Sequence, residues 1–307
     1  MEKFNLKNFP NQKGRIAIVT GANIGLGYET ARALVKKEAT VIMACRNEKK
    51  AQNAIAELKK EIPNADLVFI PLNLSSAISV RAFVRTYLER YSKLDLLINN
   101  AGIMVPPFSL TEDGYESQMG VNYFNHFLLT MLLLPTLNQT EGARVVTLSS
   151  IAHRKATIDF ENLNSERDYQ KMKAYGQSKL ACLMFAYELD RKLKQSNSKV
   201  LSVAAHPGVS TTNLAQHLPS VMVSIFSVIS PLFAHNPEEG ARPTLLAALG
   251  QDVKGGEYFG PTGFREMKGE AGKVSSTDYS HDKKIAARLW EVSEELTKES
   301  FSLEKVN

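Results

Sequence analysis

The sequence predicts an α/β fold in which one doubly wound parallel sheet carries helices on both faces. Two observations lead there. Through the first 210 residues, short runs rich in β-branched side chains alternate with longer segments patterned at the helical period. No Pro/Gly/Ser-rich linker interrupts them, so residues 1–307 are expected to form a single domain.

Each element can be justified in turn. Residues 15–20 (RIAIVT) form a buried first strand, and a glycine-rich turn leads into a helix over about 25–37. Residues 40–45 give the second strand, 47–62 the second helix, 67–71 the third strand and 77–91 the third helix. The fourth strand, 94–99, runs straight into Asn-Asn-Ala-Gly. A helix over about 112–137, a strand at 144–148, a helix over about 173–194 and a strand at 200–205 complete the regular part. Strands joined through helices run parallel with right-handed crossovers, which makes this a Rossmann-type sheet. The last third is less regular: an apolar stretch at 218–233, a helix near 237–249, a short strand at GGEYFG and a final helix over about 282–299.

Composition excludes several classes. The chain is 44% hydrophobic over 307 residues, enough for a core without disulfides or metals. Its net charge of +5 is scattered over helix faces with no basic stripe, which argues against nucleic acid and suits an anionic cofactor. Cys45 and Cys182 match no metal or redox spacing and are expected to be free thiols in a reducing, cytoplasmic setting. His206, His217 and His235 have no ligand spacing, so no metal is expected. No stretch has the length and apolarity of a signal peptide or a membrane span.

The turn after the first strand reads Thr20-Gly21-Ala22-Asn23-Ile24-Gly25-Leu26-Gly27. Glycines at a strand-to-helix junction let a pyrophosphate approach the backbone, and the helix N-terminus offers unpaired N–H groups to it. The spacing is neither GxGxxG nor a Walker loop, and a plain tight turn is the alternative. At the end of the second strand, where an NAD site places an acid on the ribose, stands Arg46. A permanently charged planar fork there favours a 2′-phosphate and hence NADP(H).

Four motifs in register carry a resemblance. They are Thr20-to-Gly27, Asn99-Asn100-Ala101-Gly102, Tyr175-Gly176-Gln177-Ser178-Lys179 and Pro207-Gly208-Val209. Together they resemble the short-chain dehydrogenase/reductase family, over nearly the whole chain. The stretches VIMACRN, GVNYFNHFLLT, VVTLSSIAH, AYGQSKLA and ARLWEVSEEL look most like its retinol-dehydrogenase-like branch. The resemblance implies hydride exchange between NADP(H) and a carbonyl or alcohol. It assigns Tyr175 as general acid/base, Lys179 as its partner and ribose ligand, and Ser150 as the hydroxyl on the reacting oxygen, with Ser149 as runner-up. Asn122 is implied to hold a water in a proton relay. Gly21, Asn23, Ile24, Gly25, Gly27, Asn73, Asn99, Ala101, Gly102, Pro207 and Gly208 are implied to line the cofactor cleft. Val209 would meet the carboxamide through its backbone, and Thr212 would lie near the pyrophosphate.

Chemistry points independently to the tyrosine and lysine. Residues four apart lie one above the other on a helix. A cation about 4 Å from a phenol favours the phenolate by on the order of 4 kcal/mol at an effective dielectric of ~20.

Three features depart from that pattern. Asn73 stands where many relatives have aspartate, Asn125 stands where the branch usually has glycine, and no segment matches the membrane anchor of many such relatives. Residues 159–172 form an insertion expected to be a surface loop at the site's mouth. The stretch 218–233 is expected to act as a substrate lid within about 210–235, favouring a lipophilic small-molecule substrate. A core helix, or a surface touching a membrane or a partner, are its alternatives. Many relatives pair through helix bundles, so a homo-oligomer is an expectation too. Two other functions fit the same fold: an idle NADPH-binding redox sensor, which the intact Ser150, Tyr175 and Lys179 oppose, and a nucleotide-sugar epimerase or dehydratase, whose glycine spacing is longer.

Overall fold

The computed structural model describes residues 4–209 and 235–304. Thr212, His217 and the expected lid stretch 218–233 lie outside the described residues. The eight strands are β1 (Ile16–Thr20), β2 (Thr40–Cys45), β3 (Leu67–Pro71), β4 (Leu96–Asn99), β5 (Arg144–Leu148), β6 (Leu201–Ala205), β7 (Tyr258–Pro261) and β8 (Ala271–Lys273). They form one sheet in the order β3-β2-β1-β4-β5-β6-β7-β8. All neighbours are parallel except β7 and β8. The doubly wound parallel sheet expected from sequence is thus found, with one antiparallel strand added at its edge. The connection from Pro261 to Ala271 is too short for a crossover, so β8 can pair only antiparallel.

Both faces are covered. Ala17, Val19, Leu96, Ile98, Val146 and Val203 pack with α1 (Gly25–Lys36) and α2 (Glu48–Glu61). Ile18, Leu97 and Val145 face the other way, toward α3 (Ala77–Leu88). Such strands, buried on both sides, read as continuous apolar runs.

The helix expected from about 112 begins later. Gly114, at φ +82°, closes a turn in which Thr111 N–H bonds the Tyr115 carbonyl. Glu116 then caps a short α4 (Ser117–Met119) by accepting from the N–H groups of Gln118 and Met119. A π-helical turn, Gly120–Phe124, follows before α5 (Asn125–Asn138). The second long helix on this face is α6 (Lys171–Gln195). The chain continues through α7 (Pro237–Leu249), on the face of α1 and α2, and ends in α8 (Lys283–Thr297).

Helix α5 is apolar all round, which requires cover on both sides. The sheet supplies one side and α8 the other. Trp290 stacks on Phe185 at 5.7 Å and meets Phe127 edge-on at 5.0 Å, while Tyr123 and Ser293 share a 2.6 Å hydroxyl contact. Among the described residues, no helix is long and apolar enough to cross a membrane.

Because β1 sits between β2 and β4, strand order reverses beside it. A crevice at such a switch point, beyond the carboxyl ends of the strands, is where α/β sheets bind ligands.

Candidate active site

The crevice begins at Gly21, whose φ of +67° turns the chain out of β1. A side chain at Gly27 would stand 2.4 Å from the Gly21 carbonyl, so only glycine lets α1 start this close to the strand. Ile24, the N-cap of α1, provides no side-chain cap, leaving the first-turn N–H groups of that helix for an anion. Cys45 is buried behind this loop, its thiol pushed up to about 11 by burial, against the pull of the Ala22 and Asn23 backbone. The half-buried Asn23 and Gly25 complete the exposed lip with Ile24.

The Asn-Asn-Ala-Gly segment is tied to this turn through Thr20. Its hydroxyl accepts from the N–H groups of Asn100 and Ala101, both at 2.9 Å, and the Asn100 amide donates to the Thr20 carbonyl at 2.7 Å. Asn99 faces the other way. It is 2% exposed and donates to Thr130 Oγ1 at 3.0 Å on α5. The residue that braces the glycine turn is therefore Asn100, which the sequence analysis did not single out.

Tyr175 and Lys179 lie one turn apart on α6, both buried. The Lys179 ammonium donates to the Leu148 carbonyl at 3.0 Å, its one hydrogen bond among the described residues. A Cβ added to Gly102 would meet Asn122 Oδ1 at 3.1 Å and Lys179 Nζ at 3.3 Å. Gly102 thus brings the Asn-Asn-Ala-Gly turn, the π-turn and α6 together at one point. Asn122 is held on every side. Its Oδ1 accepts from Ile103 N–H at 2.8 Å, and its Nδ2 donates to the Ile103 carbonyl at 3.0 Å and to Ser178 Oγ at 2.9 Å.

The two serines after β5 part company. Ser149 Oγ donates to the Lys179 carbonyl at 2.7 Å and so braces α6 against the sheet. Half-buried Ser150 caps the 3-10 turn Ile151–Lys155, where its Oγ accepts from Ala152 N–H at 3.2 Å and keeps its own proton to donate.

After β6, Pro207 leads to Gly208 at φ +72°, where a Cβ would stand 2.5 Å from the Met267 carbonyl. Val209 N–H is engaged with that same carbonyl at 2.9 Å, and the Val209 carbonyl accepts from His235 N–H at 2.7 Å. A carbonyl oxygen has a second lone pair, which leaves Val209 an acceptor for a further partner. A three-residue clasp, absent from the sequence analysis, secures this loop. Glu266 receives His206 Nε2 at 3.1 Å and Arg154 Nη2 at 2.6 Å, and His206 Nδ1 accepts from Gly208 N–H at 3.2 Å. Burial pushes His206 down. For Glu266, burial pulls upward but His206 and Arg154 outweigh it and hold the carboxyl below its usual range. Arg154 belongs to the Ser150 turn, so the clasp joins that turn to the loop of Pro207, Gly208 and Val209.

Arg46 projects into solvent just past the end of β2. Asn73 serves a local turn, its Oδ1 accepting from Ser75 N–H at 3.1 Å and its Nδ2 reaching Glu112 at 3.2 Å. Asn125 fills the place of the expected glycine by bonding the Leu74 carbonyl at 2.9 Å and Asp113 at 3.0 Å. Among the described residues, no cluster of His, Cys, Asp or Glu could hold a metal ion.

A family model described as short chain dehydrogenase matches residues 15–221. Retinol dehydrogenase 14 of Mus musculus is 39% identical over 295 residues, covering 92% of this chain and 85% of the relative. A crystal structure of an uncharacterized protein from Mycobacterium paratuberculosis is 40% identical, with TM-score 0.82, covering 98% of this chain and 100% of the other. The Pseudomonas aeruginosa RhlG/NADP active-site complex is 26% identical, with TM-score 0.64, covering 80% of this chain and 94% of the other.

Proposed function

Because the chain belongs to the short-chain dehydrogenase family, in its retinol-dehydrogenase-like branch, we propose that it is an NADP(H)-dependent oxidoreductase interconverting a lipophilic carbonyl compound and its alcohol. The observation that carries this reading is the meeting of Lys179, one helical turn after Tyr175, with Asn122 against Gly102, in the segment that Thr20 ties to the Gly21 turn. A buried ammonium whose one hydrogen bond among the described residues goes to a carbonyl is costly as mere structure. It is well placed, one helical turn from the Tyr175 phenol, to bond ribose hydroxyls and to pass a proton through water.

Bound in the crevice, the nicotinamide would supply or accept the hydride. In the reducing direction, Tyr175 gives its proton to the carbonyl oxygen while Ser150 donates a hydrogen bond to the same atom. In the oxidising direction, the phenolate takes the alcohol proton. Lys179 then returns a proton to, or removes one from, the phenol through a water that Asn122 would hold.

The cradle fits a dinucleotide. The space beside Gly27 admits no Cβ, α1 offers an uncapped N-terminus, and Arg46 in place of an acid directly follows β2. We assign Arg46 to the 2′-phosphate, in keeping with the NADP held by the RhlG neighbour. Exposed Met172, one turn before Tyr175, and exposed Phe264, beside the Glu266 clasp, support a lipophilic substrate, as does the relative named for retinol. Free, buried Cys45 and Cys182 are consistent with a reducing compartment such as the cytoplasm.

A spectrophotometric screen of NADPH and NADH oxidation against aldehydes, ketones and quinones tests the reading. Turnover with a lipophilic member is the expected result; saturable NADPH binding with no turnover would point to a redox sensor. Arg46→Asp is expected to move the NADPH/NADH preference in kcat/KM toward NADH by about 10- to 100-fold, the worth of a charge-assisted hydrogen bond. An unchanged ratio would remove Arg46 from the site.

A further inference from the structure

Asn122 in the π-turn and His126 and Thr130 on α5 are spaced by four, and all three are buried polar residues. The three form a continuous hydrogen-bonded chain. Thr130 Oγ1 donates to the His126 carbonyl at 2.7 Å and accepts from Asn99. The His126 ring, 2% exposed, touches two functional segments at once: Nδ1 lies 3.0 Å from the Asn122 carbonyl, and Nε2 lies 2.9 Å from Thr20 Oγ1.

These partners settle the tautomer. A carbonyl only accepts, so Nδ1 carries the proton and Nε2 is the acceptor. The Thr20 hydroxyl accepts from Asn100 and Ala101 N–H, and its own proton goes to Nε2 in preference to the Ile98 carbonyl at 3.4 Å. Burial pushes the imidazole down to about 4, and the nearby Lys179 acts in the same direction, which keeps the ring neutral at physiological pH.

The Asn122 end of this contact lies in the π-turn. Its i→i+5 bond, from Asn125 N–H to the Gly120 carbonyl, breaks the α-helical ladder beside Asn122. Two side chains, His126 Nδ1 at 3.0 Å and Cys182 Sγ at 3.1 Å, hold the Asn122 carbonyl within this turn. With that peptide pinned, the Asn122 amide stays against Ile103, Ser178 and Lys179.

We infer that His126 is a positioning residue that couples the dinucleotide cradle to the relay asparagine, by fixing the Asn122 peptide with one nitrogen and Thr20 with the other. The inference rests on the roles proposed above for Asn122 and the Gly21 turn. It requires the two ring nitrogens to serve separable ends.

Two substitutions separate them, because an asparagine amide reaches the position of Nδ1 and a glutamine amide that of Nε2. His126→Asn keeps a donor for the Asn122 carbonyl and is expected to weaken NADPH binding about tenfold, with kcat changed less than threefold. His126→Gln keeps a partner for Thr20 and is expected to lower kcat about tenfold, with the NADPH Kd changed less than threefold. From the other end of the bond, Thr20→Val is expected to weaken NADPH binding at least tenfold and Thr20→Ser, which keeps the hydroxyl, less than threefold; this pair decides the matter if the histidine variants fail to fold. NADPH Kd is read by fluorescence titration without substrate. If the wild-type chain turns over no substrate, the proposed reaction falls while the Kd comparison still judges His126. Parallel losses of Kd and kcat in both histidine variants, or lowered melting temperatures with both constants intact, would overturn the inference and leave His126 as packing alone.

Discussion

Tyr175→Phe is expected to lower kcat by about 10²- to 10⁴-fold, the range a positioned general acid/base contributes. The ring is buried on α6, and phenylalanine preserves that packing. NADPH affinity and melting temperature should therefore stay close to wild type, with the loss confined to the chemical step. Steady-state kinetics on a substrate from the carbonyl panel, with NADPH titrated separately, measure both. Turnover equal to wild type would remove Tyr175 from the reaction and, with it, the reason for a buried Lys179 one turn away.

Stability should fall steeply in mild acid. His126 and His153 are both pushed down to about 4, chiefly by burial. The His153 ring donates from Nδ1 to the Ser150 carbonyl at 2.7 Å, while its buried Nε2 has no partner among the described residues. Both rings are neutral in the folded protein, whereas an unfolded chain protonates them below their ordinary value near ~6.5. The unfolded state then binds more protons, so stability is fully present above about pH 6.5 and is lost progressively toward pH 4. Each ring contributes up to about 3 kcal/mol, a sizeable share of the ~5–15 kcal/mol of a typical domain. His206, also pushed down by burial, acts in the same direction. Urea midpoints measured from pH 7.5 to 4.5 should drop across that window; a flat profile would mean that these rings are protonated in the native state.

Where periodicity and capping are local, the sequence was a sufficient guide. The strands β2, β3 and β5 fall where the apolar runs place them, and α2 starts where Asn47 caps it by accepting from Lys50 N–H. The four-residue spacing of Tyr175 and Lys179 likewise needs nothing beyond helix geometry. The brace by Asn100 was within reach of strand parity, since successive side chains point to opposite sides. Asn99 turns toward α5, so its successor must turn toward the glycine loop.

Other features depend on contacts that no local window contains. The Glu266 clasp joins residues 60 and 112 positions apart and rests on Arg265 and Glu266 at φ +49° and +56°, a conformation that neither residue type advertises. The π-turn arises where Asn122 must answer Ile103, Ser178 and His126 together, and hydrophobic patterning sees only a continuous helix. Edge strand β8 has three residues and no alternation to betray it.

The cover over α5 carries a consequence for biosynthesis. Phe127 and Phe185 emerge from the ribosome long before Trp290, and Arg81, on α3, awaits a salt bridge to Glu299 at 2.7 Å. A nascent chain with every strand already made still displays a greasy helical surface until its final segment is translated. Translation that stops short of α8 leaves that surface bare.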